Sequence, residues 1–122
     1  MIRNTITITV HKNKFDFNFG MGFLGETLSR LDIDIEGLMN GVSKNPFKFI
    51  PIIMYESAKY GFTRKGEEFT HTLYDFMDYI DADGGIQAKS VLKFLEAFTN
   101  SMITDVPKEE STGKKIKAPK KK

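Results

Sequence analysis

The 122-residue chain has no cysteine and no tryptophan, only two histidines and four prolines, and no long apolar run. Without cysteine there is no disulfide, no thiolate nucleophile and no cysteine-ligated metal, a composition suited to a reducing compartment. The two imidazoles, His11 and His71, stand far apart and outside any recognisable metal or nucleophile spacing. The longest apolar stretch, residues 47–55, is broken by Lys48 and Pro51 and is far shorter than the ~20 residues that cross a bilayer. Threonines interrupt the first residues, so neither a secretory apolar region nor a cleavage site is legible. No membrane contact and a cytoplasmic location are expected.

What is present fits one folded domain. Apolar residues make up 40% of the chain and charged residues 28%, the balance of a globular protein with a single core. The net charge of +2 conceals a division. Residues 1–104 carry 11 Lys and Arg against 13 Asp and Glu, whereas residues 105–122 carry 7 against 3. The basic character belongs to the end of the chain, and the body offers no phosphate-binding field.

Thr5-Ile6-Thr7-Ile8-Thr9-Val10 alternates at period two, and Phe15, Phe17 and Phe19 repeat the rhythm after the polar His11-Lys12-Asn13-Lys14. This predicts a β-hairpin whose polar turn includes Asn13, a residue able to take a left-handed conformation. A two-stranded ribbon with three aliphatic and three aromatic side chains on one face needs helices to cover it. Phe23, Leu24, Leu28 and Leu31 predict a first helix, and Ile35, Leu38, Met39 and Val42 a second, capped by Asp32 or Asp34. Asn45-Pro46 opens a third, with Asn45 as side-chain cap, Pro51 forcing a kink or late start, and Gly61 as the stop. Phe69, Leu73, Phe76, Met77 and Ile80 form the inward stripe of a fourth helix ending near Asp83-Gly84-Gly85. A fifth, over residues 86–103, presents Val91, Leu92, Leu95, Phe98 and Met102, with Phe94 at its edge. The expected class is α+β: an N-terminal antiparallel β-hairpin, about five packed helices over residues 1–104, and a disordered Lys-rich tail over residues 105–122.

Three segments mimic chemical motifs and fail on detail. Asp81-Ala82-Asp83-Gly84-Gly85-Ile86 begins like a calcium loop, but the sixth position is Ile86 and the twelfth Leu92, where glycine and glutamate belong. Gly20-Met21-Gly22-Phe23-Leu24-Gly25 spells G-x-G-x-x-G, yet it follows an antiparallel strand with no βαβ unit. His71 and Asp75, four apart, read as a surface pair. No catalytic, cofactor-binding or metal-ligating residue is expected, and no enzyme activity. Lys114 to Lys122 lacks aromatic residues to stack bases, so nucleic acid is not the expected partner.

The aromatic load, 11 Phe and 4 Tyr, is high for the length. Surplus Phe and Met either complete the core or an oligomer, or form an adaptable apolar surface. Phe47, Phe49, Ile53, Met54, Phe94, Phe98 and Met102 are the candidate partner-binding residues, on the helices over residues 47–55 and 86–103.

Three segments together resemble the tail assembly chaperones of long-tailed bacteriophages and prophages. These are Phe15-Asp16-Phe17-Asn18-Phe19-Gly20-Met21-Gly22-Phe23-Leu24, the helix around Pro51-Ile52-Ile53-Met54-Tyr55, and the stretch from Tyr79-Ile80-Asp81 to Val91-Leu92-Lys93-Phe94-Leu95-Glu96-Ala97-Phe98. The similarity runs over residues 6–102 in the same order of elements. It implies a non-catalytic virion assembly factor that holds the apolar tape measure protein soluble until tail tube protein polymerises around it. A frameshifted extension after the Lys-rich end, recruiting tail tube protein, is a further implication. The alternatives are a small nucleic-acid-associated regulator and a minor virion structural protein.

Overall fold

A computed structural model describes residues 5–105, with side chains through residue 102. Strands β1 (Thr5–Val10) and β2 (Asn13–Asn18) form an antiparallel hairpin. Five helices follow: α1 (Met21–Leu31), α2 (Ile35–Lys44), α3 (Pro46–Arg64), α4 (Leu73–Asp83) and α5 (Lys89–Asp105). The expected α+β order is therefore present, while the expected tail beyond residue 105 lies outside the described residues.

The hairpin register pairs Ile6 with Phe17 and Ile8 with Phe15, so aliphatic and aromatic side chains share one face. Its turn differs from expectation. His11 and Lys12 take φ of 45° and 70°, the double left-handed conformation of a two-residue hairpin loop. Asn13 is instead the first residue of β2, and its side-chain amide donates to the His11 carbonyl at 2.9 Å.

Helices cover the ribbon through aromatic contacts. Phe15 meets Phe76 of α4 at 4.8 Å between ring centroids, Phe17 meets Phe94 of α5 at 5.0 Å, and Phe19 lies between Phe94 and Phe98 at 5.3 and 5.9 Å. Such ring pairs add to plain area burial. Phe23 of α1 closes the cluster against Phe98 at 6.3 Å. The α5 stripe is thus rotated from the expected one: Phe94 is fully buried and Leu92 is 51% exposed. The helix starts at Lys89 rather than at residue 86.

α3 is the central helix and runs unbroken from Pro46 to Arg64 with Pro51 inside it. Asn45 precedes it but makes no side-chain cap; its backbone N–H donates to the Gly41 carbonyl, ending α2. Nor does Gly61 stop the helix. A Cβ there would lie 2.3 Å from the Asp16 carbonyl oxygen, so the missing side chain lets α3 lie against β2. Ser57 adds a hydroxyl bond to the Asn18 carbonyl at 3.0 Å, and Arg30 Nε meets the buried Glu56 carboxylate at 3.0 Å, tying α1 to α3. Asp34 caps α2, whereas Asp32 takes the left-handed position that closes α1.

Candidate functional site

Among the described residues, five large apolar side chains stay exposed after this packing, Met21, Ile35, Phe47, Tyr74 and Leu92, and one of them, Phe47, stands at a groove. Phe47 and Pro51, one turn apart on α3, face Met77, Ile80 and Asp81 of α4, with Gly85 and Ile86 from the α4–α5 connection closing the end. Pro51 and Ile80 are buried and form the floor. Phe47 stands at the mouth, 74% exposed. Proline at position 51 removes the N–H that the Phe47 carbonyl would take in an uninterrupted helix. The cavity holds about 230 Å³, below the roughly 300–1,000 Å³ of ordinary small-molecule sites. Its capacity suits one large side chain from a macromolecular guest. Tyr74, 75% exposed, lies one turn before Met77 on α4.

Of the seven residues expected to meet a partner, the structure brings only Phe47 to this groove. Phe49 folds back, half-buried, over α2: a Cβ on Gly41 would lie 2.5 Å from its ring. Ile53, Met54 and Phe94 have no exposed surface and Phe98 only 1%. These four are core residues, because the hairpin face needs a full layer of rings and aliphatic side chains opposite it. Met102 is half-buried against the same core. Pro51, Met77 and Ile80 do not stand out as site residues in the sequence, and Asp81 and Ile86 stand out only within the failed calcium-loop pattern. The only available signal was Phe47 and Pro51 sharing one face at a spacing of four.

Residues that looked chemical have structural tasks. The Asp83 carboxylate accepts the His11 backbone N–H at 3.1 Å and the Ser90 hydroxyl at 2.8 Å, pinning the hairpin tip to the start of α5. His11 Nδ1 lies 4.0 Å from the same carboxylate. His71 bonds the Tyr79 hydroxyl at 2.9 Å through Nδ1, and Asp75 closes a capping box with Thr72; the expected His71–Asp75 pair does not form. Burial first, then the carboxylates of Asp75 and Asp78, push the Tyr79 phenol above its ordinary value, keeping it neutral. Among the described residues no group of three or more His, Asp or Glu is placed to hold a metal, and no helix is long and apolar enough to span a membrane. The glycine-rich segment opens α1 after an antiparallel strand, and the sheet of the described residues has no parallel crossover.

Comparison with family models, with curated proteins and with solved structures finds no match for the chain.

Proposed function

We propose that the chain is a tail assembly chaperone of long-tailed bacteriophages or prophages, acting without catalysis in the bacterial cytoplasm. It binds the tape measure protein, keeps its apolar helical segments from aggregating, and helps tail tube subunits polymerise around it. The observation that carries this reading is Phe47, 74% exposed at the mouth of an apolar groove. A large ring left in water beside unfilled apolar space gains by covering, and a helix laid between α3 and α4 covers it. One groove of this size binds weakly, but many copies along a client with repeated apolar segments act through avidity. The order of hairpin, middle helix and last helix supports the same family.

The test is co-expression of the full chain with the tape measure protein of the same genome. The wild-type chain is expected to hold the client in the soluble fraction and to co-purify with it, and Phe47→Ser is expected to lose both while remaining folded. A folded wild-type chain that neither binds nor solubilises the client overturns the proposal, as does its recovery as a stoichiometric part of finished virions.

A further inference from the structure

We infer that the α3–α4 groove selects its guest by charge as well as by apolarity: it takes an amphipathic helix with a lysine or arginine one turn from its apolar anchor, the cation resting on Asp81. This rests on the groove being the client site.

The acids of α4 divide by what holds them. The helix carries Asp75, Asp78, Asp81 and Asp83 and no basic residue. Two of the four are engaged inside the molecule. Asp75 accepts the Thr72 backbone N–H at 2.9 Å, and Asp83 holds the hairpin tip. The carboxylates of Asp78 and Asp81 have no hydrogen-bond or ion-pair partner among the described residues.

Asp81 is the odder of the two. It lies in the last turn of α4, where the helix dipole already presents partial negative charge and a carboxylate is disfavoured. Its carboxylate is exposed to water and has no ion pair within the described residues to offset that placement. Among the described residues it is also the only charged side chain lining the groove, so any guest that seats an apolar group beside Phe47 meets it. A lysine or arginine lays its alkyl stem along apolar surface while its head reaches a carboxylate. Met77 and Ile86 supply that surface next to Asp81. Because Phe47 and Asp81 flank one small cavity, anchor and cation must come from neighbouring turns of the guest, at spacings of three or four. A guest with a carboxylate there would face an unpaired like charge in a partly dehydrated site, which is discrimination against wrong segments.

The experiment uses two fluorescein-labelled amphipathic peptides, about 18 residues long so that they can form a helix, identical except for Lys or Glu one turn from a leucine anchor. Anisotropy titrations with the full chain are expected to give about tenfold tighter binding of the Lys peptide. Asp81→Asn should bring the two within about twofold, and Asp81→Lys should reverse the order. Glu36→Gln, which removes a carboxylate of α2 outside the groove, should leave the ratio unchanged. Circular dichroism confirms that each variant is folded.

Equal binding of both peptides that is lost in Phe47→Ser overturns the charge selection and leaves the groove standing as a client site. The charge selection also falls if neither peptide binds although the tape measure protein still requires Phe47. Self-association of the chain that Phe47→Ser abolishes overturns the inference as well, since the occupant is then a second copy. Client solubilisation unaffected by Phe47→Ser removes the groove reading itself.

Discussion

Phe47 and Phe94 both look like binding residues in the sequence, and replacing each in turn separates surface from core. Phe94 has no exposed area and packs against Phe17 at 5.0 Å, Phe19 at 5.3 Å and Phe98 at 6.2 Å. Truncating it to alanine removes the transfer energy of a whole ring and leaves a cavity that the rigid hairpin cannot close. Fully buried phenylalanines cost about 3–5 kcal/mol when cut to alanine. A domain of this size has about 5–15 kcal/mol in total, so Phe94→Ala sits near the limit of folding. Its melting temperature should drop by about 12 °C or more, at about 4 °C or more per kcal/mol. Phe47 is 74% exposed, so Phe47→Ser should change stability by no more than about 0.5 kcal/mol. Urea unfolding followed by far-UV circular dichroism measures both, with unchanged slopes required before midpoints are compared. Destabilisation by Phe47→Ser as large as that by Phe94→Ala, or a Phe94→Ala cost below about 1 kcal/mol, refutes this division of surface from core.

Two further perturbations follow from the packing and the charges. Gly→Ala inside a helix ordinarily stabilises by roughly 1 kcal/mol, and Gly25→Ala in α1, with nothing within 4 Å of the new Cβ, should show that gain; Gly61→Ala should instead lose about 1–3 kcal/mol, because its Cβ would stand 2.3 Å from the Asp16 carbonyl, and a gain at both sites in urea titrations refutes the close approach of α3 to β2. The hydrogen bond from Lys65 at 2.6 Å, and then that from the Thr7 hydroxyl, hold the Asp16 carboxyl below its ordinary 3.8, while Asp16 raises Lys65 above 10.5. Asp16 therefore contributes stability above pH 3.8 that is lost as pH falls through its lower folded value, and Lys65 contributes below pH 10.5 and loses it as pH rises further. The gap in urea midpoint between wild type and Asp16→Asn should close as pH is lowered below 3.8, and a gap that persists there assigns the effect to something other than the ion pair.

Local patterning carried most of the element order, and the errors fall where a distant part of the chain decides. Period-two alternation marks both strands because each has one buried face. The left-handed turn residues are His11 and Lys12 rather than Asn13; the tip is held from far away, by Asp83 gripping the His11 N–H, and a local preference of Asn13 says nothing of that. In α5 two stripes compete, one through Leu92 and Leu95 and one through Phe94 and Ser101, and both share Val91 and Phe98 at helical spacing. The rings of Phe17 and Phe19 choose the second by offering Phe94 a place. Gly61 reads as a stop to any local rule, and only the strand beside it explains a glycine within the helix.

The aromatic surplus shows how a correct count can mislead about place. Of the 11 phenylalanines, ten lie in or against the core, and Phe47 alone is mainly exposed. A two-stranded sheet has no second sheet to pack on, so helices must bring rings to it from α1, α4 and α5, and residues that look spare in each helix taken singly are used up where they converge. That leaves an exposed aromatic surface much smaller than the composition suggests. It also makes the surface sharper, because a ring left outside a core that recruited every other phenylalanine is not excess packing material. Its neighbours point the same way: Pro51 and Ile80 floor an unfilled space directly beneath it, and the exposed Asp81 carboxylate on the rim has no ion-pair or hydrogen-bond partner among the described residues. The assembly function proposed for the chain therefore turns on one groove, and on whether covering Phe47 and neutralising Asp81 are done by the same guest helix.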